Sequence, residues 1–475
     1  MINRYFIEKI NENFGFEFTS DQRSAIAKIV DFLFNKSNNQ LFLLKGYAGT
    51  GKSSLIGSLV KTMAQFNQKS VLLAPTGRAA KVFSLYAEQP AYTIHKRIYR
   101  LNRFSEGENS FSLSENKHTH TLFIVDEASM INNGRGEYSF FGSGRLLDDL
   151  MEYVYSGDGN RLMLIGDSAQ LPPVNDEFSP ALDLNTLEGY FLEVITATLT
   201  DIVRQSEESG ILYNATRLRN LLQVGDTFEF PKLVANSYKD VKLVTGYDLI
   251  EEISSAYGRS GVDETIIISR SNKRVNAYNM GVRNTVLYRE EELSSGDLLM
   301  ITKNNYHWMK DFKQVDYLAN GEFVEVVRVW GTEEMHGFRF CDALLRHRDY
   351  DIEFEAKINL DSLHTEAPGL TREQNDALFE AVMADYAPFT PDKRKRYQEV
   401  KNDAYFNALV VKYGYAVTAH KAQGGEWCNV FLDIGYINEN YLGENFYRWL
   451  YTAITRSAEM LYLVNLPDDL LEQAK

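Results

Sequence analysis

A lysine and a serine close a glycine-rich octapeptide whose spacing suits the handling of phosphate. Gly46-Tyr47-Ala48-Gly49-Thr50-Gly51-Lys52-Ser53 fits the pattern G-x-x-x-x-G-K-[ST]. Gly46 and Gly51 let the backbone curl so that its N–H groups face phosphate oxygens, with Gly49, Thr50 and Ser54 as further loop contacts. Lys52 brings a point charge to the β- and γ-phosphates, and the Ser53 hydroxyl can ligate Mg²⁺. Further along, the apolar run Thr121-Leu122-Phe123-Ile124-Val125 ends in two acids, Asp126-Glu127. At a strand tip beside a phosphate loop, the first acid can hold Mg²⁺ through water and the second can orient an attacking water. Gln170, in Gly166-Asp167-Ser168-Ala169-Gln170-Leu171-Pro172-Pro173-Val174, is a candidate γ-phosphate sensor, with two prolines stiffening the loop beyond it.

The surrounding pattern supplies the elements that would hold these groups. Leu41 to Leu44 reads as a short buried strand before the loop, and a helical run follows it. Ser70 to Ala74, Arg161 to Ile165 and Phe191 to Leu199 read as further strands alternating with helices, so a parallel sheet with covered faces is expected. Thr19 or Ser20 is a candidate cap for a helix with apolar Ala25, Ile26, Ile29, Val30 and Leu33. Gln22 falls in its first turn, where an amide can both donate to and accept from an adenine edge; taken alone, it reads rather as an exposed helix residue. Residues 99–120 are polar, with Gly107 as a turn signal, and read either as a small β-hairpin insertion or as a surface loop.

Alternation resumes at Thr265 to Ser269, Ala416 to Thr418, Val430 to Leu432 and Leu461 to Val464, a second α/β core built from segments on either side of a long middle section. There the period changes to two. Phe323 to Trp330 and Tyr350 to Leu360 predict half-buried antiparallel strands of a small barrel or sheet within 300–363. Thr371-Arg372-Glu373-Gln374 opens a helix with a capping box. Lys393 to Arg396 is a basic run, either a solvated helix face or a phosphate contact.

Composition bounds the class. The chain has 475 residues, 44% hydrophobic and 24% charged, as in ordinary globular proteins of two to four domains. No apolar run approaches the ~20 residues of a membrane span, and the first residues lack an apolar signal-peptide core, so no membrane partner and a cytoplasmic home are expected. Cys341 and Cys428, far apart and without metal-site spacing, read as free thiols. A net charge of −15 argues against non-specific coating of nucleic acid, while leaving room for a local basic groove.

GYAGTGKSS, APTGRAAK, TIH, IVDEAS, GDSAQLPPV, the pair Arg204-Gln205, AVTAHKAQGGEW and YTAITRS follow one another between about residues 19 and 457. This string resembles superfamily 1 DNA helicases of group B, the RecD-like and Dda-like enzymes. The resemblance implies two RecA-like (P-loop NTPase) domains with ATP and Mg²⁺ in the cleft between them and single-stranded DNA across both. It implies a small β-hairpin insertion in the first domain and an SH3-like β insertion in the second. The expected division is 1–98 with 121–200 for the first domain, 99–120 for the hairpin, 201–299 with 406–475 for the second domain, and 300–405 for the β-rich insertion with a helical extension. By the same resemblance Gln22 reads adenine, Lys52 and Ser53 contact phosphate and Mg²⁺, and Asp126 and Glu127 are metal ligand and catalytic base. Gln170 couples the γ-phosphate to DNA, and Arg204 and Arg456 reach that phosphate from the second domain. Pro75, Thr76, Thr93, His95, Thr418 and His420 lie along the DNA track, and Gly424 and Glu426 join track to nucleotide. His420 taken alone would read as a core histidine.

Phe104 or Phe111 in the hairpin could stack on the last base pair of a duplex. The activity implied is ATP-dependent unwinding with 5′-to-3′ movement, the direction being inherited from the resemblance alone. The expected partners are single-stranded DNA and single-strand/duplex junctions, with the chain acting as a monomer. Alternatives are a nucleic-acid-stimulated ATPase or translocase on DNA or RNA, and a nucleotide-dependent switch. A complete hydrolytic set counts against the switch.

Overall fold

The computed structural model describes residues 2–472 apart from 36, 38, 102–110, 135–140, 175, 203–207, 311, 313–314, 316 and 368. Among the described residues, two parallel sheets and one closed barrel carry the architecture. The first sheet runs in the order Ala91–Thr93, Lys69–Ala74, Thr121–Val125, Arg161–Gly166, Gln40–Gly46, Glu193–Leu199. Its neighbours are all parallel. Its central strands are apolar on both faces because helices cover both; Leu41 to Leu44 are fully buried. The strand order places the C-terminal ends of Gln40–Gly46, Thr121–Val125 and Arg161–Gly166 side by side, which brings the phosphate loop, the Asp126-Glu127 pair and the Asp167–Gln170 loop to one edge of the sheet.

The second sheet takes Ala416–Thr418, Thr265–Ser269, Trp427–Asp433, Ser457–Val464 and Val241–Val244, again parallel. The two sheets are the two α/β cores expected from the alternation, which the resemblance implies are RecA-like, with a barrel interrupting the second. That barrel closes through Leu298–Ile301, Phe323–Met335, Phe338–His347, Ile352–Asn359 and Leu409–Tyr413. Its first and last strands thus extend past residues 300 and 405, into segments that those expected boundaries give to the flanking α/β domain. Two register shifts along Phe323–Met335 let this long strand bend enough for closure. The turn that follows uses His336 and Gly337, both at positive φ, as a two-residue hairpin between right-twisted strands requires.

The segment between the barrel's last two strands holds helices Arg372–Tyr386 and Lys393–Asn402. The first starts with the capping box read from the sequence, Thr371 with Gln374. The pair buries Leu378, Val382, Met383 and Val400 against Phe338 and Phe340 of the barrel. Lys393, Arg394 and Lys395 stand exposed on the second helix.

Where barrel and second sheet meet, one carboxylate organises the junction. Asp297, fully buried, receives the guanidinium of buried Arg283 at 3.1 Å and is also paired with Arg289. It further accepts the Ser294 N–H at 2.7 Å and the Tyr415 hydroxyl at 2.8 Å. A buried carboxylate is tolerated when paired and hydrogen-bonded in this way.

Candidate functional site: a nucleotide cleft joined to a groove

Gly51, at φ 76°, is the N-cap of helix Lys52–Gln65, and Gly49 is also at φ 76°. These left-handed positions turn the loop so that the helix begins with free N–H groups. Gly46 has no room for a side chain, since a Cβ there would stand 2.7 Å from Lys52 Cγ. Lys52 Nζ donates to the Gly46 and Tyr47 carbonyls at 2.6 and 2.9 Å. Lys52, Ser53, Ser54, Asp126, Glu127, Gln170, Gly424, Glu426 and Arg456 line one cleft of about 430 Å³ between the two α/β domains.

The electrostatics fit a metal–polyanion ligand. Burial pushes the Asp126 and Glu127 carboxyls above the usual range; hydrogen bonds to Asp126 and the charge of Lys52 pull its carboxyl back, while Arg456 and Lys52 oppose the rise on Glu127. Arg456, from the second domain, places Nη1 4.0 Å from Glu127 Oε1 of the first. The same guanidinium donates to Gly425 O at 3.1 Å and to Thr452 O at 3.2 Å. Two buried oxygens facing this region, Gln170 Oε1 and Ser457 Oγ, have no protein partner. Cationic loop, hydroxyl, acid pair and orphan polar atoms are together the donor set that a nucleoside triphosphate with Mg²⁺ would use.

Gln22 is 1% exposed, which excludes the exposed-helix reading. Its Oε1 accepts the Thr19 N–H at 3.0 Å, closing a capping box, and its Nε2 donates to Thr50 O at 2.9 Å. The glutamine therefore ties the start of its helix to the phosphate loop. Arg204 and Phe104 lie outside the described residues.

A second hollow, of about 340 Å³, runs between the first domain, the second domain and the barrel. Pro75, Thr76, Thr93, His95, His420 and Lys421 line it. Thr76 and Thr93 are helix N-caps, accepting from Ala79 N and Lys96 N. Thr418 precedes helix Ala419–Ala422, which carries His420 into the hollow. Burial pushes His95 down to about 4, leaving it neutral near pH 7, and Lys421 down to about 8. The barrel closes the far wall with Glu322 and Tyr350.

Tyr99–Leu101 pairs antiparallel with Phe111–Leu113, the base of the expected hairpin. Phe111 departs from expectation. Its ring is buried, stacked on Phe141 with centroids 4.5 Å apart and 5.3 Å from Tyr306, so neighbouring aromatics already cover the face that a base pair would need.

The sequence sets Gly424 and Glu426 between cleft and hollow but does not name the side chains that bridge the two domains beside them. Gly424, at φ 71°, has Thr76 Oγ1 within 3.1 Å of where a Cβ would sit, so one loop touches both spaces. Gln423 Nε2 donates to Leu171 O at 2.7 Å, and Thr452 Oγ1 accepts the Leu171 N–H at 2.9 Å. Tyr451 donates to Asp167 at 2.6 Å and accepts the Ala48 N–H of the phosphate loop at 2.9 Å. Arg448 donates to the carbonyls of Ser168 and Gln170. The signal that could have pointed to Tyr451, Thr452 and Arg448 is that they share helix Glu444–Ile454, just ahead of Arg456.

A phosphate loop on a parallel sheet, an acid pair on the adjacent strand and an arginine from a second such domain define a two-domain P-loop NTPase. Comparison with known proteins narrows this. Residues 17–227 match the AAA domain model and residues 413–464 match the UvrD-like helicase C-terminal domain model. The ATP-dependent RecD2 DNA helicase of Deinococcus radiodurans is 23% identical over 92% of this chain and 48% of its own length. The uncharacterized protein MJ1519 of Methanocaldococcus jannaschii is 24% identical over 94% of this chain and 38% of its own. The ATP-dependent DNA helicase dda of Enterobacteria phage T4 is 22% identical over 71% of this chain and 74% of its own. Among solved structures, Bacteroides Pif1 bound to ssDNA aligns over 97% of this chain and 95% of that one, at TM-score 0.48 and 16% identity. The chain spans about two-fifths to one half of the length of the first two of these relatives. By its motifs, its two domain matches and these relatives, the chain is similar to superfamily 1 helicases of the RecD-like and Dda-like kind. No described helix is long and apolar enough to cross a membrane.

Proposed function

We propose that this chain is an ATP-dependent DNA helicase that moves 5′ to 3′ on single-stranded DNA and opens duplex ahead of it. The observation that carries this reading is Arg456, which the second domain sets 4.0 Å from Glu127 of the first. An arginine that crosses the cleft makes hydrolysis depend on how the two domains sit, and domains that open and close can ratchet along a strand.

In this reading Lys52 and the loop N–H groups hold the phosphates, Ser53 and Asp126 hold the metal, and Glu127 orients the attacking water. Mg²⁺ neutralises charge on the β- and γ-phosphates. Gln22 reads adenine by exchanging its bond to Thr50. Arg456, with Arg204, stabilises charge developing on the γ-phosphate, and Gln170 reports that phosphate to the groove. Thr76, Thr93 and Thr418 at helix starts, with Pro75, His95 and His420, follow the DNA backbone, where contacts are indifferent to sequence. The Gly424–Glu426 loop relays between the two spaces.

The test is unwinding of two matched duplexes, one with a 5′ and one with a 3′ single-stranded tail, each with ATP, without ATP and with Lys52→Ala. Opening of the 5′-tailed duplex alone, dependent on ATP and on Lys52, is expected. Lys52→Ala should lower ATP turnover by about a thousandfold or more, because charge stabilisation is most of this catalysis. Opening from the 3′ tail alone would reject the direction. DNA-stimulated hydrolysis without opening would make the chain a translocase, and hydrolysis indifferent to DNA would favour a nucleotide switch.

A further inference from the structure

Tyr86 has no part in the chemistry outlined above, yet it lines the nucleotide cleft and its phenol donates to Asp126 Oδ2. The other carboxylate oxygen, Oδ1, accepts the Glu127 N–H at 2.8 Å. An ionised carboxylate has about four acceptor sites, so one donor on each oxygen fixes its plane and leaves lone pairs for a further ligand.

Tyr86 is itself held in place by its neighbours. Its ring stacks on Phe83, fully buried one turn earlier, with centroids 5.0 Å apart. Its helix, Gly77–Ala87, lies against the phosphate-loop helix Lys52–Gln65. The contact is so close at Gly57 that a Cβ there would stand 2.6 Å from Tyr86 O. Gly57 is four residues beyond Ser53, one turn along the same face. The backbone of Tyr86 is therefore registered against the helix that presents Ser53, while its hydroxyl is registered against Asp126.

The geometry points to Tyr86 as a positioning residue for the divalent cation, aligning the Asp126 carboxylate with the Ser53 hydroxyl across the cleft. This inference rests on the reading of the cleft as a Mg²⁺–nucleotide site. Partners that orient a metal-binding carboxylate commonly govern affinity for the ion while leaving the rest of the pocket intact.

The experiment uses the full chain and Tyr86→Phe, which keeps the ring on Phe83 and removes only the hydroxyl. Binding of a fluorescent ADP analogue is measured in EDTA and across a Mg²⁺ titration, and ATP hydrolysis is followed over the same range. Affinity in EDTA should match the parent within about twofold, while the Mg²⁺ concentration for half-maximal binding and hydrolysis should rise about tenfold. The maximal rate at saturating Mg²⁺ should stay close to the parent. A Mg²⁺ midpoint equal to the parent's would overturn the inference, as would an equal loss of nucleotide affinity in EDTA, which would signal general damage to the cleft. A parent chain whose nucleotide binding ignores Mg²⁺ would instead sink the reading of the site on which the inference stands.

Discussion

Arg456→Ala is expected to lower the maximal rate of ATP hydrolysis by about a thousandfold, with ATP affinity changed only a few-fold. An arginine delivered across a cleft to a transferring phosphoryl group is worth roughly 10³–10⁵ in rate. The side chain is 5% exposed and is aimed by three bonds from its own domain, to Thr452 O, Gly425 O and Thr455 Oγ1. Its charge is thus pre-positioned, and little reorganisation is left for the reaction itself. The contacts that would bind ground-state nucleotide, from Lys52, Ser53 and the loop N–H groups, belong to the other domain and remain. Lysine at this position should recover little, since it lacks the planar fork that bonds several acceptors at once. Stopped-flow hydrolysis with a separate nucleotide-binding titration distinguishes the two effects. Loss of binding with a normal rate at saturation would contradict the assignment.

Asp297→Ala is expected to produce the largest loss of stability. The carboxylate pairs with two arginines, one of them 2% exposed, and also accepts from Ser294 and Tyr415. Removing it leaves Arg283 buried without its counter-charge. Breaking a buried pair in this way costs about 3–5 kcal/mol, mostly the penalty of the stranded cation. The loss should appear as an earlier urea transition of the second domain and barrel, read by the fluorescence of tryptophans such as Trp308 and Trp427, while nucleotide binding to the first domain persists at low urea. A variant that unfolds at the parent's urea concentration would show that the junction does not depend on this carboxylate. Replacing Asp297 and Arg283 together by apolar residues should cost less than Asp297→Ala alone.

Much of this architecture was legible because its signals are local. The phosphate loop, the acid pair at Asp126-Glu127 and the Thr371–Gln374 capping box each lie within a few residues, and apolar runs such as Leu41–Leu44 declare buried parallel strands. The barrel was legible as period-two patterning, but its closure was not. The strand Leu409–Tyr413, all buried, reads like any α/β strand, and only its pairing with Leu298–Ile301 and Ile352–Asn359 assigns it to the barrel. Gln22 and Phe111 show the same limit at single residues. The Gln22 amide bonds Thr19 at a capping-box spacing, as Thr371 and Gln374 do, but it also bonds Thr50, and the Phe111 ring packs on Phe141 and Tyr306; no spacing in the sequence announces those last three partners. Tyr86 and Tyr451 escaped for a related reason. A tyrosine on an amphipathic helix is ordinarily core, and what sets these two apart is the hydroxyl's reach to Asp126 and Asp167.

The placement of the barrel inside the second sheet bears on how the chain emerges from a ribosome. The first sheet has all its strands once residue 199 has been made. The second cannot form then, because Ile267 pairs with Ala416, about 150 residues later, and Val241 waits still longer for Leu461. At about 5–20 residues per second, that leaves the apolar strand Thr265–Ser269 without neighbours for about 7–30 s. An unpaired strand of this composition is a template for wrong partners. Synthesis of this protein therefore has a vulnerable interval between two folding events, and slower translation of residues 270–415 should increase the share of chains lost to aggregation or captured by chaperones.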